Sequence, residues 1–271
     1  ARVRVGAALV GRALPAAMIA TSPSHLVILL HGVHGLASDL QYLAELLGEN
    51  KDLLVHAPRC NEKSHLLFQG VAASGERAVA DVLRVIEAHP SLEKLSVVGH
   101  SFGGIVARYL VGALYGRCGC SLKAKNFVTV ATPHLGIRRP QTRPVLKGGM
   151  INAIFKTVSE RFCSQLGLEL NLIDSRTSPV LLRLCDGAHL RALLRFESHR
   201  LYANVFNDLL VPYCTAAILP YNPYRRKEHP LTTSAQYPHI TLKSLYASRL
   251  AAAGAAVGPE AHVVCREASA A

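Results

Sequence analysis

A serine stands at the centre of a glycine-flanked pentapeptide near the middle of the chain. Gly99-His-Ser-Phe-Gly103 matches the pattern G-x-S-x-G, in which a sharp turn between a strand and a helix exposes the serine hydroxyl. The apolar run at residues 95–98 precedes the motif, and an apolar helical pattern begins at Ile105. Glycine at both ends removes side chains that would collide where strand and helix cross. The pattern therefore predicts that Ser101 is a nucleophile for acyl transfer.

A second glycine-containing loop follows an earlier apolar run. Residues 26–30 are continuously apolar, which is typical of a strand buried on both faces of a parallel sheet, and His31-Gly-Val-His-Gly35 comes next. Acyl transfer requires hydrogen-bond donors for the oxyanion of the tetrahedral intermediate. We predict that the backbone N–H groups of Val33 and Phe102 are these donors and that His31 braces the loop. The Lys-Ser/Thr pair of a phosphate-binding P-loop does not occur here.

A serine nucleophile also needs an acid that orients its base, and the acid follows the serine in the chain order Ser, Asp, His. Asp208 comes after the predicted strand at residues 200–206 and precedes Leu-Leu-Val-Pro. A strand end is the usual setting of this acid, so Asp208 is the predicted one. Asp174 and Asp186 belong to a predicted insertion and are the weaker candidates.

Two histidines after Asp208 are candidates for the general base. The base is expected on a loop after the last core strand, which favours His262, the more C-terminal of the two, and His239 in Tyr-Pro-His-Ile is the alternative. His229 falls in a predicted surface loop. His134 precedes Asp208 in the chain, so we predict that it belongs to the wall of the site.

Strands and helices alternate through the first half of the chain. The apolar patterns predict strands at residues 25–30, 53–56, 95–98 and 127–130, and helices at 39–47, 76–88 and 105–114. This alternation indicates an α/β fold with a mostly parallel central sheet flanked by helices. Active sites of such sheets lie at the carboxyl ends of the strands. Together with the nucleophile turn, the alternation predicts an α/β-hydrolase fold.

We predict one hydrolase domain at residues 25–271, preceded by an N-terminal segment at residues 1–24. That segment is rich in Ala and Arg, which is typical of the remnant of an organellar transit peptide. An edge strand at residues 2–10 is the alternative. The alternation of strands and helices breaks between residues 136 and 196, where we predict a cap or lid inserted over the sheet.

The chain carries a formal net charge of +12 at pH 7. Its basic residues are scattered and form no nucleic-acid-binding motif, so we predict no nucleic-acid partner. The basic residues at 138–147 favour peripheral contact with an anionic membrane surface instead. No apolar stretch is long enough for a transmembrane helix.

Seven cysteines give an odd count, and most stand in apolar surroundings. This pattern favours buried thiols in a reducing compartment over a disulfide framework. We therefore predict an intracellular location, either cytoplasmic or organellar, with plastid and mitochondrion as the candidate organelles. Cys118-Gly-Cys120 lacks the spacing of a zinc site, so no metal is predicted, and serine chemistry needs no cofactor.

Several of these segments together resemble a family of serine esterases, lipase-like α/β-hydrolases that occur in plants, algae and fungi. The similar segments are residues 29–35, 97–104, 131–137, 202–213 and 237–240. The resemblance implies Ser101 as nucleophile, Asp208 as acid and lipid-type acyl esters as substrates. In that family a longer segment separates Tyr-Pro-His-Ile from a late histidine, whereas 22 residues separate His239 from His262 here.

The sequence thus predicts a serine hydrolase that cleaves carboxylic esters, in particular lipid acyl esters, through an acyl-enzyme on Ser101. Acylglycerols, phospholipids and galactolipids are the substrate classes considered. One alternative is an acyltransferase that uses the same residues and passes the acyl group to an alcohol. The other is a non-catalytic binding protein that keeps the fold but has lost the base through its shortened tail.

Overall fold

A computed structural model gives the structure of most of the chain. It describes residues 22–137, 164–208, 210–220, 222, 224, 240–242 and 262–264. Several sequence predictions lie outside these residues. They are the transit-peptide remnant or edge strand before residue 22, the basic residues at 138–147, His229 and His239.

The described residues form short strands and helices in alternation. The strands are β1 (His25–Leu30), β2 (Leu53–His56), β3 (Lys94–His100), β4 (Lys123–Val130), β5 (Ser198–Tyr202), β6 (Ile240–Leu242) and β7 (His262–Val264). The helices are α1 (Gln41–Gly48), α2 (Ser64–Leu67), α3 (Val71–Ala88), α4 (Phe102–Gly116), α5 (Gln165–Leu170), α6 (Val180–Arg183), α7 (Gly187–Leu193) and α8 (Tyr213–Ala216), with a 3-10 helix (Ala37–Leu40) before α1.

Five strands form one parallel sheet in the order β2-β1-β3-β4-β5. Its centre is apolar on both faces, since residues 26–30 of β1 are all buried. A strand buried on both faces must be covered on both sides by other elements, as in α/β proteins. This confirms the predicted fold class, and β1 and β2 have the predicted bounds.

Helix α4 is the most deeply buried helix of the described structure. Twelve of its residues are buried, because it packs between the sheet, α3 and α7. Helix α3 is instead amphipathic, and Ala78, Val79 and Val82 lie on its buried stripe. The turn at Ser101 therefore leads directly into a helix that has almost no solvent-exposed face.

Helix α3 begins five residues before the predicted start at Glu76. Gly70 precedes it with a φ of 94°, and the Val71 N–H donates to the Glu169 carboxylate over 2.7 Å. A carboxylate at this position satisfies an amide that has no partner within the helix. Burial raises the pKa of Glu169, against the hydrogen bonds from Gln165 and Val71.

The second half of the predicted insertion packs on the same core as the sheet. Leu166, Leu181 and Phe196 belong to the main hydrophobic cluster together with β1 and α4. Helix α7 contacts α4 directly, and a Cβ added to Gly112 would lie 1.9 Å from the His189 ring. Residues 164–196 are therefore tied to the domain core, and a lid over the site stays a prediction.

Strands β6 and β7 form a separate antiparallel ribbon. Ile240 pairs with Val264 at one end, and Leu242 pairs with His262 at the other. Strand β7 lies next to β5. The ribbon therefore brings the C-terminal part of the chain to the edge of the central sheet that β5 forms.

Two further observations concern the chain as a whole. Within the described residues, no helix combines the length and apolar character needed to cross a membrane. The five cysteines in the described parts, at positions 60, 118, 120, 185 and 214, are thiols, but Cys185 is exposed and the other four are only partly buried, so the prediction of buried thiols is wrong for them.

Candidate active site

Ser101 occupies a strained turn at the carboxyl end of β3. Its backbone has φ 52° and ψ −126° and immediately precedes α4, a conformation that residues with a Cβ rarely adopt. The Ser101 N–H donates to Val130 O of β4 over 2.8 Å, and Gly104 N–H donates to Ser101 O over 3.1 Å. These two bonds fix the turn between its strand and its helix. The predicted strand–turn–helix context of the motif is therefore present.

The glycines of the motif allow backbone approaches that a side chain would block. A Cβ at Gly99 would lie 2.4 Å from the Gly104 Cα, and one at Gly103 would lie 2.3 Å from Leu30 O. A Cβ at Gly104 would lie 2.0 Å from the Thr132 hydroxyl oxygen. Since real Cβ contacts are not this short, α4 can start next to β1 and the loop after β4 only with glycine at these positions.

The loop after β1 lies directly against Ser101. A Cβ at Gly32 would come within 2.8 Å of the Ser101 Cβ and 3.3 Å of its hydroxyl oxygen. Gly35 N–H donates to Gly32 O over 3.1 Å and closes a tight turn. His34 within that turn has a positive φ of 60°. The loop that carries Val33 thus contacts Ser101, as a donor loop for an oxyanion must.

Phe102 is the first residue of α4 and is 1% exposed. The first amides of a helix have no acceptor within the helix, and they lie at the positive end of the helix dipole. The Phe102 N–H therefore has the electrostatic character that an oxyanion donor needs. Its role, like that of Val33, stays a prediction.

Asp208 lies in the loop after β5. Its Oδ1 accepts hydrogen bonds from the backbone N–H groups of Leu210 (3.1 Å) and Val211 (2.8 Å), and its Oδ2 accepts one from the Asn204 side chain (2.8 Å). Asn207 has a φ of 60° and turns the chain before the carboxylate. A carboxylate oxygen has two lone pairs, so Oδ2 keeps one for a further donor.

Strand register puts Ser101 and Asp208 at the same edge of the sheet. His100 pairs with Val130, and Val130 pairs with Tyr202. Ser101 follows the first of these positions by one residue, and Asp208 follows the last by six. Both therefore lie beyond the carboxyl ends of their strands, where active sites of parallel sheets form.

Sequence reasoning missed Asn204, which orients the Asp208 carboxylate. The available signal was its place in Tyr-Ala-Asn-Val, four residues before the aspartate. It also missed the buried Arg108, whose guanidinium donates to His134 O over 3.4 Å and to the Cys185 Sγ over 3.0 Å. That side chain joins α4 to the loop after β4.

His134 belongs to the buried interior rather than to an open surface. It is 4% exposed, and its Nε2 lies 2.9 Å from the Thr129 hydroxyl. Burial, with a smaller contribution from the Arg108 charge, lowers the pKa of His134 to about 3. The ring is therefore neutral at physiological pH, and it turns back from the loop after β4 to contact Thr129 in that strand.

The two candidate bases differ in what the structure describes. The backbone of His262 begins β7, whereas a loop position was expected from the sequence. His239 lies outside the described residues. The described parts of the chain contain no cluster of three metal-binding side chains.

Curated relatives that match this chain are named as lipases. The chain is 31% identical over 222 residues to "Putative lipase C4A8.10" from Schizosaccharomyces pombe, covering 76% of this chain and 27% of the relative. It is 31% identical over 206 residues to "Putative lipase ROG1" from Saccharomyces cerevisiae, covering 72% and 28%. The chain thus spans little more than a quarter of the length of these relatives.

Solved structures with a similar chain trace include hydrolases of several kinds. A thioesterase of prodiginine biosynthesis from Streptomyces coelicolor has a TM-score of 0.39 at 16% identity, over 76% of this chain and 77% of its own. A structure reported for the metagenome-derived lipolytic enzymes LipS and LipT has a TM-score of 0.40 at 14% identity, over 91% and 84%. Scores this low carry no weight in assigning function.

A family match covers most of the chain, from the segment before β1 to the loop after α8. Residues 20–218 match the family described as "Putative serine esterase (DUF676)". This range includes the nucleophile turn, the glycine loop that contacts it, and Asp208. With its parallel sheet and its strained serine between β3 and α4, the chain has the α/β-hydrolase fold and belongs to this serine esterase family.

Proposed function

We propose that the protein hydrolyses carboxylic esters through an acyl-enzyme on Ser101. The observation that carries the proposal is the strained turn at Ser101, held between β3 and α4 with Gly32 against its side chain. Backbone strain at a polar residue is retained when it serves a site. Here it exposes a hydroxyl at the carboxyl edge of the sheet, next to two candidate amide donors.

The proposed mechanism follows the chemistry of serine hydrolases. The Ser101 oxygen attacks the ester carbonyl carbon while an imidazole takes its proton, and the N–H groups of Val33 and Phe102 stabilise the oxyanion. The imidazole then protonates the leaving alcohol as the C–O bond breaks. Water then attacks the acyl-enzyme carbonyl carbon while the imidazole takes a proton from it. The imidazole returns that proton to the Ser101 oxygen as the carboxylic acid is released. His262 is the proposed base, and His239 is the alternative.

The geometry around Asp208 supports its role as the orienting acid. Strands β3 and β5 are separated by one strand, β4, so Ser101 and the start of the Asp208 loop are about 10 Å apart across the sheet. One imidazole, hydrogen-bonded at both nitrogens, is of the right size to bridge two side chains over that gap. The three donors that hold the Asp208 carboxylate keep it oriented.

Lipid acyl esters are the proposed substrate class. The relatives named as lipases support this choice, and exposed apolar side chains lie beyond the carboxyl ends of β4 and β5. Leu135, Leu210 and Ile218 are each about half exposed. The Leu135 N–H and Gly136 O are both hydrogen-bonded to the Thr215 hydroxyl in α8, which joins these segments. Exposed apolar side chains in the segments that follow β4 and β5 favour an acyl chain over a polar group.

Labelling with an alkyl fluorophosphonate tests the proposed function. The folded protein is expected to take up one equivalent of the probe, because an activated serine forms a stable phosphonyl ester. Peptide mapping by mass spectrometry should find the adduct on the peptide that contains Ser101. Heat-unfolded protein is the control and should not react. A folded protein that resists the probe, or an adduct on a different serine, would contradict the proposal.

Gly32→Ala is expected to lower kcat for a short-chain p-nitrophenyl ester by about 10²-fold or more. The new methyl group would clash with the Ser101 side chain, so the loop and the nucleophile would have to move apart. Loss of a single oxyanion donor costs about 10²- to 10³-fold in kcat. Steady-state kinetics together with the thermal unfolding midpoint measure the effect.

Gly48→Ala is the matched control for this substitution. No atom lies within 4 Å of a Cβ at Gly48, and the residue is the last of α1. The same chemical change should therefore leave kcat unchanged. If Gly32→Ala kept more than a third of the wild-type kcat, the proposed role of this loop in the reaction at Ser101 would be wrong.

A further inference from the structure

In the loop after β1, one polar side chain is buried for a reason that packing alone does not explain. His31 is 6% exposed, and its Nδ1 lies 2.9 Å from the carbonyl oxygen of Gly32. Its other ring nitrogen, Nε2, is also buried and has no hydrogen-bond partner among the described residues. A buried acceptor without a partner costs free energy. An apolar residue of similar size would fill the space without that cost.

The contact to Gly32 fixes the tautomer of the ring. A carbonyl oxygen only accepts hydrogen bonds, so Nδ1 must carry the proton and donate it. In the neutral ring Nε2 is then the unprotonated nitrogen. Gly32 O accepts a second hydrogen bond, from the Gly35 N–H over 3.1 Å. Two donors therefore hold this one carbonyl.

Holding the Gly32 carbonyl also holds the amide of the next residue. Gly32 C=O and Val33 N–H belong to the same peptide unit, which is planar and trans, so they point in opposite directions. A rotation of the peptide that released the carbonyl would swing the N–H by the same angle. Every bond made to Gly32 O thus sets the direction of Val33 N–H.

The rest of the loop is pinned at its exit by other residues. Asp39 accepts a hydrogen bond from the Leu36 N–H over 2.9 Å, and Glu62 accepts one from the Ala37 N–H over 3.2 Å. These contacts fix residues 36 and 37 but not the peptide next to Ser101. The His31 side chain, in contrast, is hydrogen-bonded to that peptide.

We propose that His31 is a positioning residue for the oxyanion site. By donating its Nδ1–H to Gly32 O, it keeps the Gly32–Val33 peptide in the orientation that directs Val33 N–H to the oxygen of the tetrahedral intermediate formed at Ser101. The ring itself does not touch the substrate. This inference rests on the proposed ester hydrolysis by Ser101 and deepens it.

Three substitutions separate the hydrogen bond from the volume of the ring. The amide nitrogen of asparagine can occupy the place of Nδ1, and that of glutamine can occupy the place of Nε2. His31→Asn therefore keeps the donor to Gly32 O but leaves a gap, whereas His31→Gln fills more of the space and loses the donor. His31→Leu fills the space and has no donor.

We expect His31→Gln and His31→Leu to lower kcat for a short-chain p-nitrophenyl ester by about 10²-fold, the effect of losing one oxyanion donor. Their KM should change by less than about threefold, because the oxyanion forms after substrate binding. His31→Asn should remain within about tenfold of the wild-type kcat. The rate of fluorophosphonate labelling should follow the same order, since that reaction also builds negative charge on an oxygen next to Ser101.

His65→Gln is the matched control, because His65 is an exposed histidine of α2. This substitution should leave all rates unchanged. Unfolding midpoints identify any variant that has lost its fold. The comparison of the Asn and Gln variants tests whether the donor to Gly32 O sets the rate. A Gln variant as active as the Asn variant, or three equally impaired variants, would show that the donor to Gly32 O does not determine the rate and would overturn the proposal. A wild-type protein inert to both ester and probe would instead refute the proposed function, and this inference with it.

Discussion

Ser101→Ala is expected to reduce kcat for a short-chain ester by about 10⁴-fold or more and to abolish fluorophosphonate labelling. The residues of a catalytic triad act as a unit, so loss of the nucleophile removes nearly all the rate enhancement that the triad supplies. What remains is the contribution of binding and of the oxyanion donors. The measurement is steady-state hydrolysis with enough protein to detect the residual rate.

The strain at Ser101 provides the control for this prediction. Alanine keeps the Cβ and hence the strain of the φ 52°, ψ −126° conformation, so the unfolding midpoint should stay close to that of the wild type. Ser101→Gly removes both the hydroxyl and the strain, which costs about 1–3 kcal/mol at such positions. It should be equally inactive but should unfold at a higher temperature. An Ala variant with more than about 1% of the wild-type activity would rule out Ser101 as the nucleophile.

The parts of the fold that sequence reasoning predicted well depend on local patterns. The bounds of β1 and β2 were correct because each is a short apolar run closed by a turn or a loop. The nucleophile turn was recognisable because its glycines have local spacing and stand between a strand and a helix. Asp208 was predicted as the acid from chain order and from its place after a strand, and this role stays a prediction; its three hydrogen bonds lie within four residues of it.

The errors arose where distant residues decide the local structure. Helix α4 starts at Phe102 rather than Ile105, because Gly103 and Gly104, poor helix formers, lie where only glycine fits against β1 and the loop after β4. The start of α3 depends on Glu169, 98 residues away in the chain. No window of sequence around either helix contains this information.

The insertion shows the same limit on a larger scale. Its break in the alternation of strands and helices predicted a cap, and that cap stays a prediction. In its second half, Leu166, Leu181 and Phe196 complete the core that β1 and α4 begin. Apolar residues in short helices have the same pattern whether they cover a substrate or a sheet. Only the packing of α7 against α4 shows that these helices cover the core, and that packing depends on the absence of a side chain at Gly112.

His262→Ala is expected to lower kcat by about 10⁴-fold, whereas His239→Ala should change it by less than tenfold. The base must reach both the Ser101 hydroxyl and the free lone pair of Asp208. His262 begins β7, which lies next to β5, and the chain reaches Asp208 from the end of β5. In the β6–β7 ribbon His262 pairs with Leu242, and His239 lies outside the described residues. The expectation that the base follows the last core strand therefore favours His262, the more C-terminal of the two.

Added imidazole makes the comparison sharper than loss of activity alone. If the alanine variant lacks the base, free imidazole can enter the space left by the ring and restore part of the rate, so rescue should occur for His262→Ala and not for His239→Ala. His229→Ala, in the predicted surface loop, is the matched control and should behave as the wild type. Loss and rescue at His239 with full activity at His262 would reverse the assignment. Full activity in both variants would mean that neither histidine is the base and that the proton of Ser101 goes to a different group.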